Sequence, residues 1–294
     1  MSNIFLTACF SLDFDLPLLH HFIKHYIGLG IKPENFLLVL NVFKNKSKLY
    51  DGLNILKEYN IFPKDIWCYE YESHEKWQRV HMILSSHVTP DDWVVHPDSD
   101  EFFQFPTSLN NLTTLMNNQG MNAAQGFLID RLASDGKIKN VIDNISIDNQ
   151  FPEIANFTNL IGLSGVKLML YKGNLRANNG SGQIHDQCKD YTRYTHGGSE
   201  SLSKTELGLK INGDFEKREH WVYDPKKFNK SVFQVMAMQH GFFVHHFKWH
   251  GTVLEKLRQR VETYTRLRRP QLIQSQKLLD HYEKNGRFLF GDNK

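Results

Sequence analysis

The chain has 294 residues, 40% of them hydrophobic and 23% charged, a balance that fits one large or two modest globular domains and excludes a disordered or fibrous protein. A formal net charge of +3 is too small for the electrostatic footprint of a dedicated nucleic-acid binder, so nucleic acid is not an expected partner. Three cysteines (Cys9, Cys68 and Cys188) outside any C-x-x-C pattern exclude a disulfide framework and a thiolate zinc site; with no basic, apolar leader and no run near the ~18 apolar residues of a membrane span, the expected setting is the reducing cytoplasm.

The first hundred residues alternate between two periods. Ile4 to Cys9 has strand character, and Leu18, Leu19, Phe22, Ile23, Tyr26 and Ile27 fall at helical spacing until Gly28 and Gly30 stop the helix. A buried strand from Phe36 to Val42, a helix from about Ser47 to Tyr59, a strand from Ile66 to Tyr69, a helix from about His74 to His87 and a strand from Trp93 to His96 follow. This β-α alternation predicts an α/β fold with a mixed, mostly parallel sheet and helices on both faces. After Phe103 the pattern loosens into a short helix near Leu109 to Met116, a strand from Gln125 to Leu132 and loop-rich sequence to about Ala155. A strand from Val166 to Tyr171 then runs into the turn formers of Gly173 to Gly182. Gly241 to Trp249 reads as a strand, and from Val253 the pattern is helical, with Pro270 suited to the first turn of a last helix. No repeat or clear linker divides the chain, so one continuous domain is expected.

The strand Trp93-Val94-Val95-His96 stops at Pro97-Asp98-Ser99-Asp100-Glu101-Phe102-Phe103, three carboxylates in four residues. A buried strand of this kind delivers acids to its C-terminal end, where α/β sheets place ligands. Asp98 and Asp100 can hold a hard divalent cation that keeps open positions for diphosphate oxygens, which points to a sugar-nucleotide enzyme. An acidic turn closing a strand is the plainer reading of the same residues. Val244-His245-His246-Phe247-Lys248-Trp249-His250 is the second informative segment. As a strand it projects His246, Lys248 and His250 to one face, and His245, Phe247 and Trp249 to the other. His246 would then complete the coordination begun by Asp98 and Asp100, and Lys248 would neutralise phosphate charge; a one-residue slip puts His245 in its place. The ion is expected to be Mn²⁺ or Mg²⁺, since an oxygen-rich set with one imidazole and open positions suits a hard cation.

These segments, in this order, resemble the metal-dependent glycosyltransferases of the GT-A fold, specifically the family-2-like and family-92-like enzymes. The resemblance rests on Asp98-Ser99-Asp100-Glu101-Phe102, on His246-Phe247-Lys248-Trp249 before the Arg/Glu-rich Leu254 to Arg260, and on Gly126 to Gly136 with its Asp130-Arg131 pair. It implies a Rossmann-like GT-A domain over residues 1–294: a nucleotide-binding half over 1–103, an acceptor-binding half over 104–252, and C-terminal helices over 253–294. It also implies a nucleotide-sugar donor, a UDP-sugar by preference, and a hydroxyl acceptor on a glycan, glycolipid or glycoprotein. Thr7, Ala8 and Cys9, with Asp13 or Asp15, are implied near the nucleoside, although Asp13 and Asp15 equally suit the N-cap of the helix near Pro17. Asp98 and Ser99 are implied on the donor, the second carboxylate Asp100 being the firmer metal ligand.

An inverting transfer needs a carboxylate to take the acceptor proton, and Asp130, Asp186 and Asp214 are the choices, Asp130 first; its structural alternative is a salt bridge with Arg131. Asp186 follows a glycine-rich loop that could close over the donor. His185 and His196 are loop histidines with acceptor or phosphate as one use, and His21 and His25, at i, i+4, read as surface. Lys256, Arg258, Arg260, Arg266, Arg268 and Arg269 either dock on anionic lipid, giving peripheral membrane contact, or form a solvated helix paired with Glu255 and Glu262. The rival readings are a metal-dependent phosphohydrolase or nucleotidyltransferase, which needs more metal ligands, and a noncatalytic carbohydrate-binding protein.

Overall fold

The computed structural model describes residues 2–155, 166–175, 177, 193–194, 241–267 and 272–288. Their strands form one ten-stranded sheet. Strands β1 (Ile4–Ser11), β2 (Phe36–Asn41), β3 (Asp65–Trp67) and β4 (Trp93–Val95) run parallel in the order β3-β2-β1-β4. Because β1 lies between two neighbours and under helices on both faces, its sequence is a continuous apolar run. Leu6, Ala8 and Phe10 pack with Phe22, Ile23 and Tyr26 of a helix on one side. Cys9 packs on the other with Leu37, Val39, Val94 and the Trp77, Val80 and Leu84 stripe of a second helix. These helices are α2 (Leu19–Gly28), preceded by the single turn α1 (Leu12–Asp15), and α4 (Ser73–His87), which follows α3 (Ser47–Glu58).

The chain moves outward from β1 through β2 to β3 and then returns to set β4 on the other side of β1. At such a reversal the connections at the C-terminal strand ends part, leaving the crevice where open α/β sheets bind ligands. Asp15 follows β1 and Asp98 follows β4, so the acids of both connections meet there.

Strand β1 continues to Ser11, in register with Asn41, and so ends later than the sequence pattern indicates. Thr7, Ala8 and Cys9 are therefore inside the sheet and not in the loop after it. The acidic motif also differs from expectation: its last carboxylate opens a strand, β5 (Glu101–Gln104).

Beyond it lie α5 (Leu109–Asn118), β6 (Ala123–Leu132), α6 (Ile147–Gln150), β7 (Glu153–Ala155), β8 (Val166–Lys172), β9 (Arg193–Tyr194) and β10 (Phe243–His246), and the sheet continues as β4-β8-β6-β10-β5 with mixed directions. β10 is parallel to β6 and antiparallel to β5, and one row across the sheet joins Asp130, His246 and Glu101. Gly126 permits the close approach, since a Cβ there would stand 2.8 Å from the Phe242 carbonyl oxygen and 2.2 Å from Met169 Sδ.

The strand expected from Gly241 to Trp249 ends at His246. The Phe247 N–H donates to the Asp100 carbonyl at 2.7 Å, leaving the ladder to grip the acidic loop. Helices α7 (Val253–Leu267) and α8 (Leu272–Asn285) then pack with Trp249, Leu132 and Phe288 through Val253, Leu257, Leu278 and Leu279. No helix among the described residues is long and apolar enough to cross a membrane. Asp186, Asp214, His185, His196, Arg268, Arg269 and Pro270 lie outside the described residues.

Candidate functional site

Tyr26 of α2 sets the start of β5 in place: its hydroxyl donates to the Glu101 carbonyl at 2.9 Å and accepts the Phe103 N–H at 3.1 Å. Glu101 then folds back, its Oε2 accepting the Asp98 N–H at 2.8 Å. The motif is thus a tight loop closed by its own last acid, and its two aspartates face different partners.

Asp98 faces lysines. Lys76 of α4 binds its Oδ1, and Lys167 of β8 binds its Oδ2 and also Glu101 Oε1. Burial disfavours charge on Asp98, but Lys167 and Lys76 outweigh it and hold the carboxyl well below the ordinary range. Burial likewise opposes the charge of Lys76, only 6% exposed, and there too the paired carboxylate prevails and raises the ammonium above the usual lysine range. Both Asp98 oxygens are therefore engaged by lysine ammoniums.

Asp100 faces an imidazole. His246 Nε2 stands 3.6 Å from Asp100 Oδ2, and His246 Nδ1 donates to Asp130 Oδ1 at 2.8 Å. Asp130, 2% exposed, also accepts from Trp249 Nε1 at 2.9 Å. A carboxylate that orients the far nitrogen of a histidine is the usual support of a metal-ligating imidazole, so Asp100 and His246 are the two side chains here that could serve as ligands. Burial works against the imidazolium, yet Asp100 and Asp130 raise His246 to about 9. Among the described residues no group of three His, Cys, Asp or Glu is placed to hold an ion.

Asp15 ties the two connections together. Its Oδ2 accepts from Ser99 Oγ at 2.7 Å, and its Oδ1 from Lys256 Nζ at 2.7 Å; the same ammonium lies 3.7 Å from Asp100 Oδ2. Neither Asp13 nor Asp15 caps a helix: Asp13 accepts the N–H groups of Phe43, Lys44 and Asn45 at 2.8, 3.1 and 3.0 Å and fixes the loop after β2. Its carboxylate is engaged by these backbone groups. Thr7 donates to the Leu37 carbonyl at 3.2 Å, Ala8 is in the core, and burial pushes the Cys9 thiol up to about 12.

Lys248 lies past the end of β10, and its ammonium rests over the Trp249 ring, 5.1 Å from the centroid. Burial and the nearby Arg260 guanidinium lower it to about 8. His250, buried and bridged to Lys139, is pushed down to about 4 by burial and so is neutral. His245 turns away, accepting from Arg131 at 3.2 Å and donating to Gln104 Oε1 at 3.0 Å; the register is the one that presents His246. Arg131 bonds the Phe151 carbonyl, so the salt bridge with Asp130 is not made. His21 and His25 are packed on separate carbonyls, those of Ile142 and Phe103, and do not form a surface pair.

Lys76, Lys167 and Asp15 belong to the cluster, and the first two carry no motif in the sequence. Lys76 had a signal: it occupies the apolar stripe Lys76, Trp77, Val80, Ile83, Leu84, where a lysine requires a buried partner. Of the basic residues of α7, Lys256 turns inward onto Asp15, whereas Arg266 pairs with Glu70 at the surface. Lys256 is thus engaged within the chain.

No protein-family model matches the sequence, and no characterised protein does. Solved structures that overlay on the chain include residues 1–349 of S. aureus TarS, with a TM-score of 0.33 and 11% identity over 58% of this chain and 47% of that one. A 4-diphosphocytidyl-2C-methyl-D-erythritol synthase gives a TM-score of 0.29 and 11% identity over 59% of this chain and 76% of that one. A longer S. aureus TarS structure gives 0.34 and 8% over 95% and 43%. The chain spans less than half the length of either TarS structure.

Proposed function

We propose that the chain is a GT-A-type glycosyltransferase that takes its sugar from a nucleotide-sugar donor, a UDP-sugar by preference, and passes it to a hydroxyl of a glycan, glycolipid or glycoprotein. The observation that carries this reading is the meeting of the β1 and β4 connections at the sheet's reversal, where Asp100 and His246 stand 3.6 Å apart beside Lys256. Asp100 and His246 would hold Mn²⁺ or Mg²⁺, an ion that when bound neutralises diphosphate charge. Lys248, half-buried and without an acid partner among the described residues, would take charge developing on the departing nucleoside diphosphate. Ser99 and Asp15 brace the loop that presents Asp100. Asp130 serves His246 and Trp249 and so acts as a positioning residue; the base of an inverting transfer then falls to Asp186 or Asp214.

The phosphohydrolase reading calls for more metal-ligating side chains than this two-donor set. Calorimetric titration of UDP with and without Mn²⁺ tests the proposal, followed by UDP release from UDP-sugars in the presence of candidate acceptors. Ion-dependent UDP binding is the expected result, and a protein that binds no nucleoside diphosphate under either condition would overturn it.

A further inference from the structure

Helix α7 carries Lys256, Arg260 and Thr263 at i, i+4 and i+7, hence on one face. Both ends of that face are anchored against the crevice: Lys256 by Asp15 and Asp100, and Thr263 by its hydroxyl donating to Glu70 Oε1 at 2.6 Å. Thr252, just before the helix, donates to the Phe14 carbonyl at 2.8 Å and holds its start to the turn after β1. Arg260 lies midway along this anchored face and is half-buried.

Its neighbours on the face are paired, whereas Arg260 is not paired among the described residues. No hydrogen bond or salt bridge joins its guanidinium to a described residue, although Asp100 and Asp15 both act on it electrostatically. Lys248 is in a similar position: among the described residues its ammonium rests on the Trp249 ring, 5.1 Å from the centroid, and Arg260 is close enough to act on its charge. A half-buried guanidinium and a half-buried ammonium that no described acid bonds directly are costly to desolvate unless an anion completes the set.

We propose that Arg260 of helix α7 is a phosphate-binding residue, which with Lys248 forms an anion seat that holds the diphosphate of the donor. The assignment deepens the donor reading above and rests on it. Helix α7 thereby carries into the site a planar donor fork, able to grip two phosphate oxygens at once, which a lysine cannot do.

The test is calorimetric titration of the full chain with UDP and Mn²⁺, with inorganic pyrophosphate, and with uridine, for the wild type, Arg260→Gln and Arg258→Gln. Arg258 is exposed and paired with Glu283, so its variant controls for loss of a positive charge on the same helix. Arg260→Gln should weaken UDP and pyrophosphate by about tenfold or more, the usual scale of a charge-assisted contact, and leave Arg258→Gln and all uridine titrations unmoved. The dependence of UDP affinity on salt should also become shallower in Arg260→Gln alone. If that variant melts too early to titrate, Arg260→Met, which keeps the aliphatic stem, is read in the same way. Unchanged UDP and pyrophosphate affinity in either variant overturns the assignment and leaves the donor reading standing. A wild type that binds pyrophosphate but not UDP keeps the anion seat and overturns the nucleotide donor; one that binds neither overturns both.

Discussion

His246 and Asp130 are neighbours on adjacent parallel strands, in register, and joined by a 2.8 Å hydrogen bond from Nδ1 to Oδ1. A carboxylate oxygen only accepts, so the proton sits on Nδ1 and the Nε2 side of the ring is turned to Asp100. The pairing of β6 with β10 therefore decides which nitrogen the site uses.

Asp130→Asn separates the positioning role from that of a base. It should weaken Mn²⁺ binding about 10- to 100-fold, the usual effect of losing such a support, as followed by the electron-spin signal of free Mn²⁺. Intact Mn²⁺ affinity with turnover reduced about 10²–10⁴-fold would instead return Asp130 to the role of general base.

The histidine also ties stability to pH. An unfolded histidine titrates at 6.5 and His246 at about 9, so its protonated pairing with Asp100 and Asp130 contributes fully below pH 6.5 and is lost as pH rises through 9. In metal-free buffer the stability difference between wild type and His246→Gln, from denaturant midpoints, should be largest near pH 6 and shrink toward pH 9.5. A difference constant over that span would show that the two acids do not hold the imidazolium.

Lys248 has the opposite sign of shift. Its ammonium, lowered to about 8 chiefly by burial and then by Arg260, carries charge below that pH and loses it above. Pyrophosphate affinity should fall as pH rises from 7 to 9.5, and Lys248→Arg, which stays charged, should flatten the profile. An identical fall in both proteins would remove Lys248 from the anion seat.

The β-α alternation of the first hundred residues could be read directly because each element there has one period and one stop signal, as in Phe22, Ile23 and Tyr26 before Gly28. The acid and histidine segments were legible for the same reason: both are polar residues ending apolar runs. Their partners were not. Asp98 and Asp100 look alike in sequence, and only packing assigns one to Lys76 and Lys167 and the other to His246. The alternation from Val244 to His250 suggested a strand through Trp249, but the Phe247 N–H is taken by the Asp100 carbonyl, a contact across 147 residues that no local pattern encodes. The inward turn of Lys256 was hidden by an ordinary mixed-charge helix, whose direction is set by Val253 and Leu257 packing on α8.

The lysine grip on Asp98 gives the last prediction, since it divides two aspartates that the sequence presents as a pair. Asp98→Asn leaves Lys76, 6% exposed, without its acid, and should cost about 2 kcal/mol of folding stability, less than a fully buried pair because the Asp98 side chain is 39% exposed. Adding Lys76→Met to Asp98→Asn should recover most of that loss, because the stranded charge is removed while its stem remains. Asp98→Asn should leave Mn²⁺ affinity within a few-fold of wild type, whereas Asp100→Asn should abolish it. Denaturant unfolding of the wild type, the Asp98→Asn variant and the double variant measures the first effect, and Mn²⁺ titration of the folded single variants measures the second. Loss of Mn²⁺ binding in Asp98→Asn at undiminished stability would reverse the assignment and make Asp98 the metal ligand.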